Sequence, residues 1–196
     1  MKRYGIFGGA FNPPHIAHSI MAEDVREQMH LDKIIFIPSG NPPLKEGIEV
    51  ASPEHRLNMA KLAFENDKNF EVSDIEMKDL TKKSYTVDTL IKLKEQHKDD
   101  FINFYLILGV DNLLDFPKWK NPEKLFLLSE VIVINRPNFY VNEVNPEYSR
   151  RVKYLSVLNI EISSSIIREY IRNGKSIKYL VHPEVENYIY KNKLYI

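Results

Sequence analysis

The sequence predicts an α/β protein: a Rossmann-like, doubly wound parallel sheet with a small helical part at the C-terminus. Three observations carry this. Short β-branched or aromatic runs alternate with stretches of helical periodicity, the first run ends in a glycine pair, and two helix-start signals close the chain. The strand runs are Tyr4 to Phe7, Lys33 to Ile37, Phe70 to Ile75, Phe104 to Leu108 and Val131 to Ile134. Between the first two, Ile20, Met21, Val25 and Met29 recur at helical spacing; Leu57, Ala60 and Phe64 follow behind Ser52-Pro53; Val87, Leu90 and Ile91 fill the next interval. Such alternation covers both faces of a parallel sheet and directs ligands to the carboxyl ends of its strands. Ser163 to Ser165 then precede Ile166, Ile167, Tyr170 and Ile171, with Asn173-Gly174 as the stop, and His182-Pro183 opens a last short helix ending near Asn192. With no linker, repeat or low-complexity tract, residues 1–196 read as a single domain, with 163–196 as its helical C-terminal part.

Composition narrows the function. A chain of 196 residues buries a substantial core. Lysine plus arginine and aspartate plus glutamate each number 27, so no global field favours nucleic acid or an anionic membrane, and any anion site must be local. Cysteine is absent, which excludes a disulfide framework, a thiolate nucleophile and a cysteine metal site. The opening MKRYGIFGGAF has no apolar signal core, and no later segment has an uninterrupted apolar run long enough to span a bilayer; the expectation is a soluble, cytoplasmic protein.

The densest stretch is GGAFNPPHIAHS, residues 8 to 19. Gly8 and Gly9 behind the first strand permit positive φ and close approach of a ligand to the backbone, while Pro13 and Pro14 stiffen the exit into the next helix. His15 and His18, three apart at a helix start, share a face and can aim two N–H donors at one anion, helped by the amides there. A bare His-x-x-His pair more often caps or packs than binds. Zinc fits it poorly, because no third ligand cluster is evident and zincin histidines stand four apart with a glutamate between them.

As a whole, that string resembles the GGxFxPPHxGH signature of bacterial nicotinate-mononucleotide adenylyltransferases, in the nucleotidylyltransferase superfamily that shares an HxGH motif with class I aminoacyl-tRNA synthetases. Ala17 stands where the family usually has glycine, so a methyl group is expected where a nucleotide approaches the helix start. The resemblance continues in chain order. IPSGNPPLKEG, residues 37 to 47, is similar to the family's PPHK loop, with Lys45 as a phosphate contact and Leu44 in place of the usual histidine. SYTVDTL, residues 84 to 90, is similar to the segment that recognises the nicotinate carboxylate; it implies Ser84, Tyr85 and Thr86, and Thr86 also reads as an N-cap. In LGVDNLLDFPKW, Gly109 and Asp111 resemble the family's ribose motif, and Trp119, the only tryptophan, is implied to stack on the pyridine ring. Arg136, in the NRP triplet that ends the following strand, is a further phosphate candidate. ISSSIIR, residues 162 to 168, resembles the triphosphate-binding SxxIR motif, implying Ile162, Ser163, Ser164 and Arg168.

Together the resemblance implies an ATP site of Gly8, Gly9, Ala10, Phe11, His15, His18, Ile162, Ser163, Ser164 and Arg168, with His15, His18, Lys45 and Arg168 as its catalytic donors. It implies adenylyl transfer from ATP, accompanied by Mg2+, to nicotinate mononucleotide. The residues themselves agree with a reaction lacking a covalent enzyme intermediate: there is no activated serine, no cysteine and no evident carboxylate pair, only donors suited to developing phosphate charge. Two alternatives stay open, adenylylation of nicotinamide mononucleotide or pantetheine phosphate, and a nucleotide-binding module without turnover. The short, neutral chain without a KMSKS lysine loop argues against a tRNA synthetase. Sequence leaves monomer or homo-oligomer undecided.

Overall fold

The alternation of β-branched runs and helical repeats folds as expected. In the computed structural model, which describes residues 1–41, 51–135 and 144–196, the strands are β1 (Lys2–Gly9), β2 (Lys33–Pro38), β3 (Phe70–Val72), β4 (Ile102–Gly109), β5 (Glu130–Ile134) and β6 (Lys153–Leu155). They form one sheet in the order β3-β2-β1-β4-β5-β6, parallel at every pairing. The helices among the described residues are α1 (Ile16–Gln28), α2 (Pro53–Phe64), α3 (Thr86–Gln96), α4 (Val110–Leu114), α5 (Pro122–Leu128), α6 (Pro146–Ser149), α7 (Ser164–Arg172) and α8 (Pro183–Lys191), with a 3-10 turn at Phe116–Lys118. None of the described helices is long and apolar enough to cross a membrane.

The strands bury both faces, and their side chains divide with period two. Phe7, Ile34, Phe36, Ile107 and Ile132 pack on one face with Met21 and Val25 of α1 and Phe64 of α2. Ile6, Ile35, Leu106, Val131 and Val133 pack on the other with Leu90 of α3 and Leu125 of α5. A third cluster joins Ile167 and Ile171 of α7 and Val185 and Ile189 of α8 to Met59 of α2.

Three features depart from the sequence reading. Strand β6 has no apolar run and holds only the sheet edge, through Ile132↔Lys153 to Ile134↔Leu155. Strand β3 ends at Val72, short of Ile75, which instead enters the core. Helices α4, α5 and α6, of 5, 7 and 4 residues, are too short to show helical periodicity.

The chain winds outward from β1 through β2 to β3 and then crosses back to β4 beside β1. The β1/β4 boundary is therefore the topological switch point, where a crevice opens beyond the carboxyl ends of the strands.

Candidate active site

A cleft of about 970 Å3 lies at that boundary. Its floor is Phe7 to Ala10 from the end of β1 and Leu106 to Gly109 from the end of β4. The starts of α1, α3 and α7 surround it, contributing His15 and His18, Ser84 to Thr86, and Ile162 to Ile166 with Arg168; Asp111 and Trp119 complete the wall. Segments as far apart in the chain as Phe7 and Arg168 thus meet in one place. Lys45, Leu44 and Arg136 lie outside the described residues.

The glycine pair works by lack of bulk, not by positive φ. Gly8 and Gly9 are strand residues, and the left-handed conformation falls on Phe11 instead, at φ 47. A Cβ on Gly9 would stand 3.0 Å from the Phe11 ring, whereas one on Gly8 would meet nothing within 4 Å. The Phe11 ring, expected at the ATP site, turns into the core, 5.4 Å from the Phe64 ring and 5.1 Å from the His18 imidazole. Ala17 is corrected in the same way: its methyl is 1% exposed and packs with Met21 and Val25, facing the sheet and not the cleft.

His15 is the N-cap of α1, in extended backbone, and the two imidazoles stack with centroids 3.7 Å apart. The His15 backbone N–H donates to His18 Nδ1 at 3.1 Å. An acceptor at Nδ1 puts the ring proton of His18 on Nε2, so this ring offers an N–H donor without carrying a full charge beside its stacked neighbour. The amides at this helix start are less available than expected. The Ile16 amide donates to the Leu180 carbonyl and the His18 amide to the His15 carbonyl.

The α7 side is also tied into the protein. Ser163 caps the helix by accepting from the Ile166 amide, Ser164 Oγ donates to the Pro13 carbonyl at 2.8 Å, and Arg168 donates to the Asn12 carbonyl at 2.9 Å and to Ser165 Oγ at 3.2 Å. These groups brace the histidine loop against α7. What α7 still presents to an anion is its N-terminal field and the outer edge of the Arg168 fork.

At α3 the N-cap is Tyr85, so Thr86 is the first helical residue and not the cap. Ser84 is fixed by a mutual pairing with Asn41, whose amide donates to Ser84 Oγ at 3.1 Å and whose carbonyl accepts from the Ser84 amide at 2.9 Å. Trp119 leans on Phe116, with ring centroids 5.2 Å apart.

Three residues of this neighbourhood escaped the sequence reading. Arg56, 1% exposed, donates to the carbonyls of Ala10, Gly40 and Ala51, linking the loop after β1 to both sides of segment 42–50; burial pushes its pKa down, opposed by Tyr195 and Glu76. Glu76 accepts from Thr89 Oγ1 at 2.7 Å, and burial pushes its carboxyl up against the hydrogen bonds from Thr89, Ser84 and the Gly40 amide. Lys120 lines the cleft beside Trp119. Only Lys120, adjacent to Trp119, carried a positional hint; Arg56 and Glu76 look like ordinary surface charges.

Comparison with known proteins agrees with this geometry. Residues 6–170 match the cytidylyltransferase-like family. The chain is 38% identical over 199 residues to a probable nicotinate-nucleotide adenylyltransferase of Caldicellulosiruptor saccharolyticus, covering 98% of both chains. It is 40% identical over 191 residues to the counterpart in Salinibacter ruber, covering 97% of this chain and 96% of the relative. Among solved structures, a Plasmodium falciparum nicotinic acid mononucleotide adenylyltransferase complexed with NaAD superposes with a TM-score of 0.78 at 26% identity, covering 100% of this chain and 98% of that one. Likeness at this level along the whole of both chains makes this protein a member of the nicotinate-nucleotide adenylyltransferase family.

Proposed function

We infer that the protein transfers the adenylyl group of ATP to nicotinate mononucleotide, yielding nicotinate adenine dinucleotide and pyrophosphate for NAD biosynthesis. The observation that carries this reading is the meeting of two kinds of site in one cleft: the His15/His18 pair with Arg168 on one side, and the α3 start with Trp119 on the other. The first suits phosphates. The second suits a flat ring bearing an anionic group.

The chemistry needs no protein nucleophile. A phosphate oxygen of the mononucleotide, largely dianionic at neutral pH, attacks the α-phosphorus of ATP in line; a new P–O bond forms, the α–β anhydride bond breaks, and its electron pair leaves with pyrophosphate. His18 Nε2–H and the His15 ring hold the α-phosphate as charge builds on it, and Arg168 and Lys45 take the departing phosphates. ATP enters as its magnesium complex. In this reading the ion is carried mainly by the triphosphate oxygens. Gly109 and Asp111 face the ribose, and Ser84, Tyr85 and Thr86 face the pyridine substituent.

A side-by-side assay of nicotinate and nicotinamide mononucleotides with ATP and magnesium tests the assignment. An amide turns an NH2 donor toward helix-start donors, so kcat/KM is expected to favour the acid by about 10²-fold or more. Equal use of both would reject the carboxylate assignment, and absence of pyrophosphate release with either would reject adenylyl transfer.

A further inference from the structure

The N-terminus of α3 has an electrostatic problem. Its amides attract an anion, but Asp88 sits in the first turn and repels one. Lys120 answers that charge: its Nζ lies 2.8 Å from Asp88 Oδ2 and 4.8 Å from the centroid of the Tyr85 ring, the ring of the N-cap residue. The ammonium is thus held at the mouth of the helix by an ion pair and a cation–π contact, on the wall that also includes Tyr85, Thr86 and Trp119. Asp88 takes one of its three N–H donors, and the side chain remains 43% exposed.

We propose that Lys120 is a specificity-determining residue that favours an acidic pyridine substituent. This rests on the adenylyl-transfer reading above and adds a charge term to it. Helix amides distinguish carboxylate from amide by hydrogen-bond polarity; Lys120 places a positive charge there that offsets the repulsion of Asp88 toward a carboxylate. A neutral carboxamide on the same ring gains nothing from that charge. The preference therefore has a salt-sensitive component, weakened where the screening length falls below about 10 Å.

The test is equilibrium binding of nicotinate mononucleotide and of nicotinamide mononucleotide, each without ATP, to the parent chain and to Lys120→Met, Lys120→Arg and Asp88→Asn. Lys120→Met is expected to weaken the acid by about fivefold, the scale of a half-exposed charge interaction, while moving the amide less than about twofold. Lys120→Arg should restore most of the acid preference and its salt dependence, and Asp88→Asn should raise the acid-to-amide ratio. If the parent prefers the acid but Lys120→Met leaves the ratio and its salt dependence unchanged, the role of Lys120 is overturned while the substrate assignment stands. If the parent binds neither mononucleotide, the substrate assignment falls and this inference with it.

Discussion

His18 and Ala17 are neighbours in sequence and opposites in role, because successive helical positions differ by about 100° in direction. His18 turns to the cleft with Nδ1 already engaged by the His15 amide; Ala17 turns to the sheet. Replacing His18 by alanine removes a donor to the reacting phosphate, and turnover should fall roughly 10²- to 10³-fold in a folded protein, measured as pyrophosphate release. Ala17→Gly should behave differently. With the methyl packed in the core, no space is gained for nucleotide, so ATP affinity should not tighten. The helix should instead lose about 1 kcal/mol, read by denaturant unfolding. Tighter ATP binding by the glycine variant would show that the methyl crowds the nucleotide after all.

At the scale of elements, Glu76 couples the end of β2 to the start of α3. Its carboxylate takes hydrogen bonds from the Gly40 amide on one side and from Ser84 and Thr89 on the other, and its pKa is raised chiefly by burial. A carboxyl that binds its proton more tightly when folded favours the folded state at low pH. That contribution is complete below the ordinary value of 4.5 and is lost as pH rises through the higher folded value. Glu76→Gln cannot titrate. Its melting temperature should therefore lack this decline over the window beginning at about pH 4.5 and running upward. Parallel melting profiles for parent and variant across that window would remove the titration from Glu76.

Across the whole molecule, the first loop is anchored by contacts from distant parts of the chain. Asn12 Oδ1 accepts from the Ala51 amide and from the Tyr195 hydroxyl at 2.7 Å, while its carbonyl accepts from Arg168. Arg56 fastens Ala10, two residues before Asn12, to Gly40 and Ala51. Arg56→Met keeps the bulk but leaves three carbonyls without their donor, and should cost about 3 kcal/mol in denaturant unfolding. Arg56→Lys should recover only part of this, since one ammonium cannot reproduce the planar fork. Full stability in the methionine variant would show that the three carbonyls find other donors.

Resemblance to a family picked out the segments 8–19, 84–90, 108–119 and 162–168 that contribute to the cleft, and local pattern by itself determined the doubly wound sheet and the helix starts at Ser52, Ser163 and His182. These follow from local periodicity and from residues that act within one turn of themselves. The direction of Ala17 was misread through the family signature, which pointed its methyl at the nucleotide, although Ala17, Met21 and Val25 recur at intervals of four on one buried stripe. Tertiary structure decided the rest. It turned the Phe11 ring inward, committed the serine hydroxyls near α7 to capping and bracing, and made Arg56 a buried clamp. The physical reason is that a hydrogen-bond donor does not encode its acceptor. Ser164 meets Pro13 across 151 residues and Tyr195 meets Asn12 across 183, and only the folded chain brings those partners within reach.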